Sequence, residues 1–332
     1  MQQQVLKTRK QMKSCASIAI LGAGGLGMAA VKMLAQKTEM KLVAIADRSG
    51  AAVNPGGIDA ALLETNKPAD IGTATYDPIG RIIENVDIID GIFLALPNLS
   101  TDFVPNIVSR FADNGYNGVM VDALKRSSAV EMMFGLDDRL KAAGITYITG
   151  AGATPGILTA AAAIAANSFI EVTGVDINFG VGISNWESYR ATIREDIAHL
   201  DGFSLEKAGK MPCSEIMAEL ERRNGILDIH NMEHADDVLL ERAGVVSRDK
   251  VTVGGMVDTR NPKKPVSTTM TLRGKTFDGE VSSHRFILGD ETTMAANVVG
   301  PALGWMKAGL EFNARCIYGV FGSAEIMPRF VK

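Results

Sequence analysis

Residues 18–30 read IAILGAGGLGMAA: an apolar run of strand character, a cluster of glycines, then small apolar residues. Gly22, Gly24 and Gly27 have the G-x-G-x-x-G spacing. The first suits a tight turn, the second lets backbone approach a pyrophosphate, and the third permits close packing of the helix that follows. Taken alone, the pattern equally describes any tight corner between a buried strand and a buried helix. Its surroundings have to decide.

From Ser17 to about Gly150 strand-like and helix-like segments alternate. Strands are expected at Ser17–Leu21, Lys41–Asp47, Gly72–Thr75, Gly91–Pro97, Gly118–Ala123 and Ile145–Thr149. Helices are expected at Leu26–Gln36, Pro78–Val86, up to about Asn114, and around Val130–Ala143. Near-continuous apolar strands separated by helices predict a parallel sheet covered on both faces, joined by right-handed crossovers. The fold class is therefore α/β, a doubly wound Rossmann-type parallel sheet, and it places the glycines between a first strand and its helix.

The rhythm then changes. A proline-started, alanine-rich helix is expected over Ala153–Ser168, followed by strands at Gly174–Ile183, Lys250–Thr259, Val266–Gly274 and Ser282–Leu288. Helices are expected around Glu187–Leu200 and Cys213–Asn224. Short strands joined by turn residues predict a second, α+β domain with an antiparallel or mixed sheet. The division is residues 14–152 for the dinucleotide-binding domain and 153–294 for substrate and dimerisation. The segment 295–332 returns to the first domain, starting with a helix over Ala295–Ala308.

Composition excludes several function classes. A net charge of −4 offers no reason to expect a nucleic-acid or membrane partner, since both favour basic surfaces. Cys15, Cys213 and Cys316 are odd in number and far apart, so neither a disulfide framework nor a zinc site is expected, and a reducing, cytoplasmic setting fits. The stretch MQQQVLKTRKQMKSCAS reads as a frayed terminus or an arm covering a partner subunit. The apolar run ILTAAAAIAA, residues 157–166, is too short to span a bilayer. The partner expected is a small-molecule substrate.

Ligands in doubly wound folds bind beyond the carboxyl ends of the strands, so those ends carry the candidates. At the first, Gly25 and Leu26 open the helix and would offer backbone N–H groups to phosphate. Asp47 ends the second strand, where a carboxylate can accept from an adenosine ribose or simply end the strand in a turn. Arg48 beside it could pair with a 2′-phosphate, so NAD and NADP both stay open under the single expectation of NAD(P). Leu96, Pro97 and Asn98 close the fourth strand, and Asn98 either contacts the nicotinamide half or begins a helix. The fifth strand ends in VDALKR, bringing Asp122 and Lys125 to the same mouth. They are the catalytic candidates: hydride transfer at a C–O or C–N carbon needs a proton-handling group, which a partly desolvated lysine supplies if its pKa falls toward neutrality; otherwise Lys125 is a solvated loop lysine and Asp122 caps the turn. The sixth ends in Gly152, Ala153, Thr154, Pro155 and Gly156, a substrate or nicotinamide contact or a plain hinge.

In the second domain Arg190 and Arg194 have i,i+4 spacing. A bound carboxylate would relieve their repulsion, as would Glu187, Glu195 or solvent. Among the histidines, His199, His230, His234 and His284, the 230/234 pair reads as two residues of a surface helix. No metal site is expected. In GDETTMAAN, residues 289–297, the polar residues read as a helix N-cap.

Together, GAGGLG with AIADR, LALPN, VDALKR and GATPGI resemble the saccharopine dehydrogenase-like NAD(P)-dependent oxidoreductases, a group including carboxynorspermidine and diaminopimelate dehydrogenases and related to homoserine dehydrogenase. The resemblance is good over the first half and thinner beyond it. It implies NAD(P)-dependent oxidation or formation of a C–N bond at an amino-acid-derived carbon, a substrate held between the two domains, and a homodimer. Residue by residue it carries over onto Gly22, Gly24, Gly27 and Asp47. The function expected is hydride transfer between nicotinamide and a small amino- or imino-acid substrate. The alternatives are a catalytically weak dinucleotide-binding sensor or assembly factor, and a dehydrogenase of alcohols or sugars.

Overall fold

The computed structural model describes residues 13–97, 100–183, 186–289 and 294–332. The first sheet contains β1 (Ala16–Leu21), β2 (Met40–Asp47), β3 (Gly50–Val53), β4 (Thr73–Ala74), β5 (Gly91–Leu94), β6 (Val119–Asp122) and β7 (Thr146–Thr149). The second contains β8 (Glu171–Gly182), β9 (Ile226–Ile229), β10 (Val251–Asp258), β11 (Thr268–Lys275) and β12 (Val281–Leu288). A last strand, β13 (Gly319–Gly322), rejoins the first.

The first sheet runs β13-β7-β6-β5-β1-β2-β3-β4. Pairing is parallel from β13 through β2. Order reverses at β1, with β2 on one side and β5 on the other. This is the switch point that opens a crevice in doubly wound sheets. Beyond β2 the edge turns antiparallel through the hairpin to β3 and its short neighbour β4. That hairpin is a departure from the expected alternation. The sequence GAAV at Gly50–Val53 has a single β-branched residue and so gave little strand signal.

Both faces of this sheet are filled. Ile18, Ile20, Val43, Ile45, Ile92, Val119 and Ile148 are fully buried. One face receives the helix Met294–Ala314, whose Val299, Leu303, Trp305 and Met306 join the core. Trp305 keeps its indole N–H satisfied by donating to the Ile326 carbonyl at 2.7 Å, as burial of that ring requires.

The second sheet runs β12-β11-β8-β10-β9 and is mixed, as expected: β8 and β10 are parallel and the other pairs antiparallel. It packs on the helix Ile157–Ala166, where alanines let Leu158 and Ala162 lie against Val175, Ile177 and Leu272.

Two expected helices are corrected. The segment Val130–Ala143 is two helices, Ser127–Phe134 and Asp137–Ala143, broken around Gly135. The alanine-rich helix starts at Ile157 and not at Ala153. Residues 152–156 instead fold back on themselves: the Ile157 N–H donates to the Gly152 carbonyl at 3.0 Å. Gly156 makes this possible, with φ +137° and no room for a side chain, since a Cβ would fall 1.8 Å from the Gly152 oxygen.

Candidate cofactor and active site

The three glycines of the opening motif have different reasons to be glycine. A Cβ at Gly22 would lie 2.3 Å from the Ala95 carbonyl oxygen, and one at Gly27 would lie 1.8 Å from that of Gly22. Both are fixed by the protein's own packing. Gly24 is exposed and nothing lies within 4 Å of the place its side chain would occupy. The helix Gly25–Leu34 that follows has no side-chain cap and no acidic residue in its first turn. Its leading N–H groups thus offer positive charge to an anion, and the open space before Gly24 fits a dinucleotide pyrophosphate. The Tyr189 ring, from the second domain, would lie 3.3 Å from a Cβ at Gly25 and so borders the same turn.

Asp47 stands at the carboxyl end of β2 beside this turn. Its Oδ1 accepts from the Ser49 N–H at 2.8 Å and the Ser49 hydroxyl at 2.5 Å, so it ends the strand in a turn, and Oδ2 remains for a ribose. Arg48 is exposed. Leu96 and Pro97 follow β5 alongside Gly22, since Ala95 donates to the Leu21 carbonyl at 2.8 Å. Asn98 lies outside the described residues.

Lys125 is reached from both domains. Its ammonium lies 3.3 Å from Glu195 Oε2 and 3.3 Å from Asp196 Oδ1, on the helix Arg190–Ala198, while Arg126 holds Glu195 Oε1 at 3.2 Å. Burial works to lower the Lys125 pKa, but the charges of Asp196 and Glu195 outweigh it, and the net direction is up. This direction is opposite to the expected fall toward neutrality. Burial pushes the Asp196 carboxyl up, with Lys125 opposing; Glu195 is buried too, but Lys125 and Arg126 hold it below the usual range.

Asp122 is fully buried and occupied. It accepts from the Tyr147 hydroxyl at 2.6 Å, the Thr149 hydroxyl at 3.1 Å, and the N–H groups of Leu124 and Gly150 at 2.9 and 2.8 Å. Burial raises its pKa despite those bonds. It ties the loop that carries Lys125 to the loop after β7, which makes it a positioning residue for both.

The loop after β7 is clamped by a cluster that sequence spacing did not reveal. Asp236, wholly buried, accepts from the Thr154 hydroxyl at 2.6 Å, the Thr159 hydroxyl at 2.5 Å and His234 Nδ1 at 2.8 Å. Gly152, Ala153, Thr154, Pro155 and Gly156 are therefore held in one conformation beside the Lys125 loop. His230 and His234 do not share a surface helix: both precede the helix Asp236–Arg242, and His234 is buried while His230 is exposed. Among the described residues no three His, Cys, Asp or Glu side chains gather to hold a metal. Arg194 and Arg190 are not presented as a matched pair. Arg194 Nη2 donates to the Met211 carbonyl at 2.8 Å, and Arg190 stays exposed.

Against curated proteins, the chain is 45% identical over 349 residues to (S)-8-amino-7-oxononanoate synthase BioU of Haloferax mediterranei, covering 95% of this chain and 99% of the relative. The chain belongs to the BioU family. A model of the Glutamate/Leucine/Phenylalanine/Valine dehydrogenase family also matches residues 1–95 of this BioU-family chain, a stretch holding the glycine turn and Asp47. Among solved structures, C. glutamicum DAP dehydrogenase in complex with DAP superposes with TM-score 0.58 at 17% identity, covering 95% of each chain. Saccharopine dehydrogenase (L-Glu forming) from Saccharomyces cerevisiae gives 0.57 at 12% identity, covering 93% of this chain and 94% of the other. These two share the fold of the BioU-family chain, a Rossmann-type sheet with a second sheet domain. The resemblance read from the sequence holds at that level, and the family itself is BioU.

Proposed function

We propose that the protein is an NAD(P)-dependent oxidoreductase acting on a small amino- or oxo-acid, with 8-amino-7-oxononanoate, named in its curated relative, as the first compound to test. The observation that carries this reading is the cross-domain cage of Lys125, Glu195 and Asp196 at the carboxyl ends of β6 and β7, beside an uncapped glycine turn. Gly22, Gly24, Gly25, Leu26, Gly27 and Asp47 would hold the dinucleotide. Leu96, Pro97, Gly152 and Ala153 would border its nicotinamide end. When bound, the nicotinamide supplies or accepts hydride.

This chain's own residues do the rest. The Lys125 ammonium donates a hydrogen bond, and in reduction a proton, to the oxygen or nitrogen on the reacting carbon. Glu195 and Asp196 fix its direction and balance its charge. Thr154, with Pro155 and Gly156 behind it, forms the facing lip, and the exposed Arg190 supplies a cation for a substrate carboxylate. Tyr189 closes the turn from above and limits access of water.

The reading is tested by following nicotinamide absorbance with a panel of amino, imino and oxo acids, 8-amino-7-oxononanoate among them. Turnover with one of these supports it. Cofactor binding with no turnover favours a sensor or assembly factor, and turnover confined to alcohols or sugars overturns the substrate class. A homodimer is proposed with it. Strand β12, seven of whose eight residues are exposed, is an unpaired edge for such contact, and light scattering at micromolar concentration reads the mass.

A further inference from the structure

Beyond Asp47 the first sheet continues to an edge strand whose end the site above does not use. Strand β3 runs antiparallel to β2, and β4 antiparallel to β3, so β4 points the same way as β2 and ends at the same edge of the sheet. Gly50 pairs with Asp47 on one side and with Ala74 on the other. Two strand spacings therefore put Ala74 about 10 Å from Asp47. The chain then passes beyond that row through Thr75 and Tyr76 before Pro78 opens a helix.

Tyr76 is exposed to a degree that no other tyrosine here matches. Of the five, Tyr116 and Tyr147 are buried, Tyr189 and Tyr318 are half-buried, and Tyr76 is fully exposed. The turn that carries it is nonetheless pinned. The Asp77 N–H donates to the Thr75 hydroxyl at 3.2 Å. Asp77 Oδ1 caps the helix Pro78–Ile83 by accepting from the Gly80 N–H at 3.0 Å, and Arg110 Nη2 donates to Oδ2 at 2.6 Å. A large ring left wholly in water forgoes its burial, and a flat aromatic partner would recover that burial with little further ordering of the turn.

We propose that the Tyr76 ring is the platform on which the adenine of the dinucleotide stacks. The assignment rests on the dinucleotide reading above. With the pyrophosphate at the Gly24 turn and the adenosine ribose on Asp47 Oδ2, the base extends along this edge toward β3 and β4. Stacking uses the face of the base, which NAD and NADP share, so Tyr76 serves both cofactors alike. Arg48, in the turn between β2 and β3, bears instead on the 2′ position, where the two differ.

Calorimetric titration of ADP-ribose, which carries the adenine and lacks the nicotinamide, tests this without any turnover. Tyr76→Ala is expected to weaken ADP-ribose, NAD and NADP by one common factor, about tenfold. The melting temperature of the free protein should stay unchanged, because the ring lies in solvent. Tyr76→Phe keeps the ring and should bind as the unaltered protein does. A Tyr76→Ala protein that binds ADP-ribose as tightly as the unaltered one, or that loses affinity for NADP but not for NAD, overturns the proposal. So does a change of mass in light scattering with ADP-ribose affinity unmoved, which would give the ring to a subunit contact. If the unaltered protein binds none of the three compounds, the dinucleotide reading itself has failed and the platform falls with it.

Discussion

The ammonium nitrogen of Lys125, at the end of β6, lies 3.3 Å from the Asp196 carboxylate on the second domain's helix Arg190–Ala198. With the Lys125–Glu195 and Arg126–Glu195 pairs, this contact joins the two domains at the proposed proton donor. Lys125→Ala is expected to reduce turnover by about 10²- to 10⁴-fold while nicotinamide binding, followed by fluorescence, stays intact. Stability should fall by no more than about 3 kcal/mol, because the Lys125 side chain keeps 25% of its surface in water. Unchanged turnover would remove Lys125 from the mechanism.

Gly24 and Gly27 should separate binding from folding. Gly24→Val points into open space, so melting should shift little while cofactor affinity falls at least about tenfold, near 1.4 kcal/mol. Gly27→Ala drives a Cβ into the Gly22 carbonyl and should lower the melting temperature or prevent folding. Equal melting curves for the two variants would contradict this division.

Cofactor choice is expected to turn on neighbouring residues. Asp47→Ala should weaken NAD binding more than NADP, by about tenfold in the ratio, because a ribose acceptor is lost and a negative charge near a 2′-phosphate is removed. Arg48→Ala should move the ratio the other way. Titration of both oxidised cofactors into each variant measures it.

Asp122 provides a pH test. Its folded pKa is raised above the ordinary 3.8, mainly by burial, so its contribution to stability is greatest below 3.8 and declines as pH rises through the folded value. Asp122→Asn, with its oxygen toward Leu124 and Gly150 and its amide toward the Tyr147 oxygen, should abolish that decline. Urea unfolding of both proteins from pH 3 to pH 7 is expected to give a difference that grows with pH. Glu195 acts oppositely, its folded pKa being lowered: its contribution is present above 4.5 and is lost as pH falls. The Lys125 contribution is full below 10.5 and is lost as pH rises through its raised folded value.

Much of the first sheet was legible because its information is local. Apolar runs such as Ser17–Leu21 and Gly91–Leu94, each followed by a helix, state their own burial and order. The hairpin strand β3 was not legible, since GAAV is held by pairing with β2 and not by propensity. In the site, Gly22, Asp47, Asp122 and Lys125 could be read from the strand ends, and Gly27 from the helix that follows the first. Their partners could not: Lys125 meets Asp196 71 residues away, and Thr154 meets Asp236 82 residues away. Only tertiary packing makes such pairs, and it also sets the carboxylates of Glu195 and Asp196 against the burial of Lys125.

The return of β13 to β7 has a consequence for biosynthesis. Until about residue 322 has left the ribosome, β7 is a bare sheet edge, and the face later covered by Val299, Leu303 and Trp305 is open to water. The nucleotide-binding half cannot complete itself as a vectorially folding N-terminal unit. It must wait while the whole intervening domain is made, which exposes a sticky nascent edge and makes early termination of translation a route to aggregation.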